Sequence, residues 1–227
     1  MDTKKSAIST IFFDIGDTLY VNAELEMQYP AALYTLLSES KQISVERAKE
    51  LLKQTTETLK KSESHVTKVR AMEELGYSRE EVHKAFATVR PQDFLSPDVR
   101  LQTMLNNLSQ KYTLGIISNF KKNHVLQILQ ALGLSEETFT YFLTEDIVKE
   151  IKPALEPFEK AIQLAGVPAK NCLYIGDSPT KDMAPAKKTG MTTLLVNDSP
   201  PSEDLVAADG YINTIYSLPA ALEKLNQ

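Results

Sequence analysis

The sequence predicts an α/β protein, a doubly wound parallel sheet interrupted by an α-helical insertion. Three observations carry this expectation. Short, almost continuously apolar runs recur along the chain, as strands covered on both faces do. Segments of helical periodicity alternate with them, and strand–helix–strand order implies parallel pairing through right-handed crossovers. Between residues 21 and 93 the alternation stops and no strand-like run appears.

Taken in order, the first strand candidate is AISTIFFD (7–14), which ends on a carboxylate, Asp14. The helical stretch follows. Leu33, Leu36 and Leu37 form one stripe, and Val45, Ala48, Leu51, Leu52 and Leu59 another, with turn signals at Ser44, at Gly76 to Ser78 and at Pro91. Val99, Leu101, Met104, Leu105 and Leu108 mark a helix opened by Ser96 and Pro97 as cap and first-turn proline. The run KYTLGIIS (111–118) comes next, then a helix on Val125, Leu126, Ile128, Leu129 and Leu132 that stops at Gly133. TYFLT (140–144) precedes a helix ending at Gly166, and NCLYIGD (171–177), MTTLLVN (191–197) and the weaker GYI (210–212) complete the set. The expected division is a core of residues 1–20 and 94–227 and a helical cap of residues 21–93.

The 227 residues suffice for one core plus a modest insertion. A net charge of −5 without a block of like charges argues against a nucleic-acid surface, which needs clustered cations. The single cysteine, Cys172, forms no intramolecular disulfide and reads as a buried hydrophobe. MDTKKSAIST lacks the apolar stretch of a signal peptide and no run reaches membrane-spanning length, so a soluble cytoplasmic protein is expected, without a membrane partner. His65, His83 and His124 stand apart, with no paired ligand spacing, and read as structural or surface residues.

Ligands of open α/β sheets bind at the carboxyl ends of the strands. Here those ends carry Asp14, Ser118 with Asn119, and Asp177, and Lys152 lies in a short loop after the third strand. Such a set suits phosphoryl chemistry. Asp14 and Asp177 can share Mg2+, a carboxylate can attack phosphorus, and Lys152 and Ser118 can balance charge on the transferring oxygens.

The four groups stand in the order of the motifs of the haloacid dehalogenase-like phosphohydrolases, which this chain resembles. FFDIGDTL (12–19) resembles motif I, IISN (116–119) motif II, IKP (151–153) motif III and GDSPTKD (176–182) motif IV. The resemblance implies a Rossmann-like core. The insertion after motif I resembles the cap of the subgroup with phosphoglycolate phosphatases, nucleotidases and 2-haloacid dehalogenases. It implies Asp14 as nucleophile and Mg2+ held by Asp14, the Gly16 carbonyl and Asp177. It also implies Ser118 and the Asn119 backbone on the phosphoryl group, Lys152 as charge stabiliser, and Asp182 completing the metal set by orienting Lys152 or a metal-bound water. The implied ligand is a small phosphorylated metabolite, and the chain a monomer or homodimer.

One position departs from the family. Its phosphatases carry an acid/base aspartate two residues after the nucleophile, where this chain has Gly16, and Asp17 stands where glycine is usual. General acid–base help is worth about 10²–10⁴-fold. Either Asp17 serves as the acid, or a cap residue or good leaving group makes it dispensable, or the protein is a weak or inactive member that binds a phosphometabolite or a protein. A metal-free dehalogenase conflicts with the motif-IV pair Asp177 and Asp182. A Schiff-base enzyme needs a cap lysine in a context that Lys41, Lys49, Lys53, Lys60 and Lys61 do not show. Lys68 and Arg70 are cap candidates for reading substrate, and Tyr20 a cleft or hinge residue.

Overall fold

The computed structural model describes residues 8–63, 66–197 and 208–225. The residues before Ile8, among them Ala7 of the first strand candidate, and His65 lie outside the described residues. The chain divides into two compact units, Met1–Val21 with Ser96–Gln227, and Asn22–Leu95.

The first unit is built on a six-stranded sheet: β1 (Thr10–Phe13), β2 (Thr113–Ile117), β3 (Tyr141–Leu143), β4 (Cys172–Gly176), β5 (Thr192–Val196) and β6 (Gly210–Ile212). Its order is β3-β2-β1-β4-β5-β6, and every neighbouring pair is parallel. Most strands are shorter than their apolar runs, and polar residues stand at their carboxyl ends. Asp14, Ser118 and Asp177 each directly follow the last residue of a strand. β1 lies between β2 and β4, so the strand order reverses there, which is where such sheets bind ligands.

The second unit holds α1 (Ala23–Lys41), α2 (Val45–Leu59), α3 (Lys68–Glu74) and α4 (Arg79–Phe86). Each opens on a side-chain cap, respectively Asn22, Ser44, Thr67 and Ser78. Ser78 and Glu81 form a reciprocal capping box. Leu33 and Leu37 of α1 and Ala48, Leu52 and Leu59 of α2 are buried, whereas Val45, in the first turn of α2, is exposed. His83 packs against Phe86 inside this unit.

The first unit's helices are α5 (Val99–Ser109), α6 (Lys122–Ala131), α7 (Glu156–Ala165), α8 (Ala184–Lys188) and α9 (Leu218–Leu225). The cap of α5 is Asp98, not Ser96. Its carboxylate accepts from the Leu101 N–H at 2.8 Å, and a charged acceptor outcompetes a hydroxyl that would need the helix to start earlier. α7 ends on Gly166 in the left-handed conformation. Phe12, Phe158 and Tyr174 lie in one buried cluster with Leu143 and Met183, the rings of Phe158 and Tyr174 meeting edge to face at 5.0 Å. Cys172 is buried in the same cluster.

Candidate active site

The Asp14 N–H donates to the Ile175 carbonyl at 2.8 Å, carrying the ladder one step past β1 and fixing the carboxylate at the sheet edge. The chain then turns. Leu19 N–H reaches back to the Ile15 carbonyl at 2.9 Å, and Gly16 bridges to Tyr20, which is buried. The left-handed residue of this turn is Asp17, with φ 52°. That conformation is why glycine suits the position, and aspartate is one of the few other residues that tolerate it. Asp17 is exposed.

Lys152 is 3 % exposed. Its ammonium donates to Asp14 Oδ1 at 2.8 Å, to Asp182 Oδ1 at 2.8 Å and to the Tyr174 hydroxyl at 2.9 Å. Its backbone is clamped by Asn119. Oδ1 accepts from the Lys152 N–H and Nδ2 donates to the Lys152 carbonyl, both at 2.9 Å. The Asn119 side chain is therefore committed to the lysine loop. Ser118, beside it, is buried, and its Oγ accepts from the Phe120 N–H at 3.2 Å, which leaves the hydroxyl proton to give.

Motif IV is shaped by one close approach. A Cβ on Gly176 would lie 2.7 Å from Asp182 Cγ, so only glycine lets Asp182 fold back over β4. A π turn, Pro179–Met183, swings Asp182 inward. The Asp182 side chain is fully buried. Its Oδ1 accepts from Lys152 and, at 2.8 Å, from the Tyr174 hydroxyl, and its Oδ2 accepts from the Ser178 N–H at 3.1 Å. Asp182 Oδ1 is thus tied to the lysine and the tyrosine, while Asp182 remains one of the carboxylates grouped with Asp14 and Asp177.

Asp14, Asp177 and Asp182 each offer an oxygen within 4.8 Å of the others. Burial raises the Asp177 carboxyl, aided by the charges of Asp14 and Asp182, to about 7. Burial also raises Asp14, although Lys152 pulls it back. Burial acts the same way on Asp182, but the charge and hydrogen bonds of Lys152 outweigh it and hold that carboxyl low. Lys152 is raised: burial works against its charge, and Asp14 and Asp182 overcome it. Three carboxylates thus face one buried ammonium, with Lys181 offsetting the surplus only in part. Asp14, Asp177 and Asp182 together offer the oxygen donors that a hard divalent cation takes.

Asp17 lies outside this carboxylate group. Burial raises its carboxyl and Lys181 lowers it. Arg70 is held by Glu63 at 2.8 Å and Glu74 at 3.0 Å. Tyr174 is the site residue that sequence reasoning missed. The available signal was alternation: Tyr174 shares its strand face with Gly176, the residue that makes room for Asp182.

The family model described as haloacid dehalogenase-like hydrolase matches residues 11–196. A glyceraldehyde 3-phosphate phosphatase of Methanocaldococcus jannaschii is 25 % identical over 97 % of this chain and 99 % of its own length. A phosphoglycolate phosphatase of Cupriavidus necator is 28 % identical over 50 % of this chain and 49 % of its own. The chain spans less than half the length of the first curated relatives it matches, 45 % and 35 %. Among solved structures, a HAD phosphatase from Thermococcus onnurineus superposes with a TM-score of 0.68 at 25 % identity, covering 95 % of this chain and 98 % of the other.

Proposed function

This chain belongs to the haloacid dehalogenase-like hydrolase family, and from that premise we propose that it is a Mg2+-dependent phosphohydrolase acting on a small phosphate monoester. The observation that carries the reading is the buried Lys152, bonded at once to Asp14 and Asp182 at the sheet's switch point. The relatives named for glyceraldehyde 3-phosphate and phosphoglycolate support a small phosphorylated substrate.

Asp14, Asp177 and the Gly16 carbonyl would hold the cation, which when bound neutralises phosphoryl charge. Asp14 attacks phosphorus, the ester oxygen leaves, and an aspartyl-phosphate results. Ser118 donates its proton to a phosphoryl oxygen, and Lys152 keeps Asp14 ionised and aimed. Asp182 holds Lys152 in place. Water then cleaves the aspartyl-phosphate, releasing phosphate. Asp17 is the carboxyl that the motif-I turn itself offers to protonate the leaving oxygen and then to take the proton of the attacking water. The unit Asn22–Leu95 serves as the cap that selects the substrate.

The test is phosphate release from a panel of phosphomonoesters, with Mg2+ and with chelator. Metal-dependent turnover lost in Asp14→Asn is the expected result. Asp17→Asn should cost about 10²-fold or more on alkyl phosphates and far less on aryl phosphates, whose leaving groups need no proton. An equal loss on both, or none, removes Asp17 from the reaction. A second reading rests on Gly16 and the exposed, left-handed Asp17: a non-catalytic member that binds a phosphorylated metabolite. No turnover in the native chain, with turnover created by Gly16→Asp, would establish it.

A further inference from the structure

The Lys152 ammonium has three protons to donate and three acceptors around it. Two are carboxylates. The third is the hydroxyl of Tyr174, which in turn gives its own proton to Asp182 Oδ1 at 2.8 Å. Tyr174, Lys152 and Asp182 therefore close a three-membered ring of hydrogen bonds, and all three are buried. The tyrosine ring cannot follow the lysine if it moves, because it is fully buried, belongs to β4 and packs edge to face on Phe158. Its hydroxyl is thus a fixed point at the sheet edge.

We propose that Tyr174 is a positioning residue of this site: its hydroxyl pins the Lys152 ammonium and the Asp182 carboxylate to each other, so that one lysine N–H stays aimed at Asp14. Without it, one ammonium proton has no partner, and Lys152 is free to rotate about its terminal bond between the two carboxylates. The two Asp182 oxygens would be constrained only by Lys152 and the Ser178 N–H. Freed of the phenol, the ammonium settles where the two charges pull it, not where the nucleophile needs it. The inference deepens the phosphohydrolase reading and, for its kinetic consequence, rests on it.

Tyr174→Phe is the test, since phenylalanine keeps the ring and its contact with Phe158 and removes only the hydroxyl. The direct readout is the lysine-ammonium nitrogen–proton NMR signal of Lys152, assigned by its loss in Lys152→Met. In the native chain it should exchange slowly with water and rotate slowly about the Cε–Nζ bond, and in Tyr174→Phe both motions should quicken. The second readout is kinetic: kcat should fall roughly 10-fold to 100-fold, as misplacement of a reacting group does, with KM within about 2-fold. A merely structural loss would lower thermal stability and leave this split absent. An ammonium that rotates freely in the native chain, one that is unchanged in Tyr174→Phe, or an unchanged kcat in a chain that does turn over, overturns the proposal. If the ammonium loosens as expected but the native chain hydrolyses no phosphomonoester, or Asp14→Asn retains activity, the positioning of Lys152 stands and the phosphohydrolase reading is what fails.

Discussion

At Gly176 a single hydrogen atom makes room for a whole carboxylate. The Cβ of an alanine would stand 2.7 Å from Asp182 Cγ and 2.8 Å from its Cβ, and neither atom is the loose end of a flexible chain. Gly176→Ala should therefore expel Asp182 and release Lys152, lowering kcat by at least about 10²-fold and stability by about 1–3 kcal/mol. Gly166→Ala is the control. That position has φ 65° but open space around it, so the substitution should cost about 1 kcal/mol of backbone strain and leave kcat alone. Urea melts and steady-state kinetics on the two variants separate the effects. The polar residues of the candidate site were legible singly for a simple reason. A carboxylate or hydroxyl ending an apolar run has no burial motive, so Asp14, Ser118 and Asp177 announce themselves. Tyr174 does not, because tyrosine is also an ordinary strand former. Nor does the clamp of Asn119 on Lys152, whose partners lie 33 residues apart.

Among the elements, helix α5 shows what periodicity reads well and what it does not. The apolar face was plain, and Leu101, Met104, Leu105 and Leu108 are buried, while Val99 is left exposed as the first residue of the helix. The start was misread, because Ser96 with Pro97 is a valid opening and Asp98 a better one. Asp98 has a second task, accepting from the Tyr216 hydroxyl, a partner beyond any local pattern. Burial pushes Asp98 up, yet the Tyr216 hydroxyl and the amides of Leu101 and Arg100 outweigh it, so its carboxyl lies below the ordinary 3.8. A depressed folded value means stability present above the unfolded value and lost as pH falls below about 4. Asp98→Ala should cost about 1–2 kcal/mol at pH 7 and Asp98→Asn less, since asparagine caps almost as well. As pH falls below about 4 the native chain should lose part of its advantage over Asp98→Asn, so the gap at pH 3 should be smaller than at pH 7. Denaturant titrations at the two pH values check this, and an equal gap at both would be contrary to expectation.

For the molecule as a whole, the site is a stability debt. Asp177 is raised to about 7 by burial and by its carboxylate neighbours, so the folded chain holds a proton that the unfolded chain gives up near 3.8. Native protein then binds more protons between those values, and stability from this group falls as pH rises through the window. A divalent cation acts in the opposite sense, because it binds the ionised form and competes with the proton. Added Mg2+ should thus raise the unfolding temperature at pH 8 and have much less effect at pH 6, and chelator should reverse it. Asp177→Asn should unfold at a higher temperature than the metal-free native chain at pH 8, by about 2–4 °C for each kcal/mol of repulsion relieved, and should not respond to Mg2+. Scanning calorimetry at the two pH values decides the matter.

The place of β1 in the sheet has a temporal consequence. Residues 10–13 pair with residues 113–116 on one side and residues 172–175 on the other, with the whole unit Asn22–Leu95 made in between. The strand that carries Asp14 leaves the ribosome before either of its partners, and it cannot be paired on both sides until residues 172–175 are made. While the rest is being synthesised, TIFF is an unpaired apolar segment, the kind that invites chaperones or aggregation. Lys152 is added before β4, and Asp182 after it, so no chain stopped short of β4 can hold Asp14, the lysine and Asp182 together. A chain interrupted before β4 would lack both Asp182 and the strand that pairs with residues 10–13 on that side, so the candidate site would be completed in one late step.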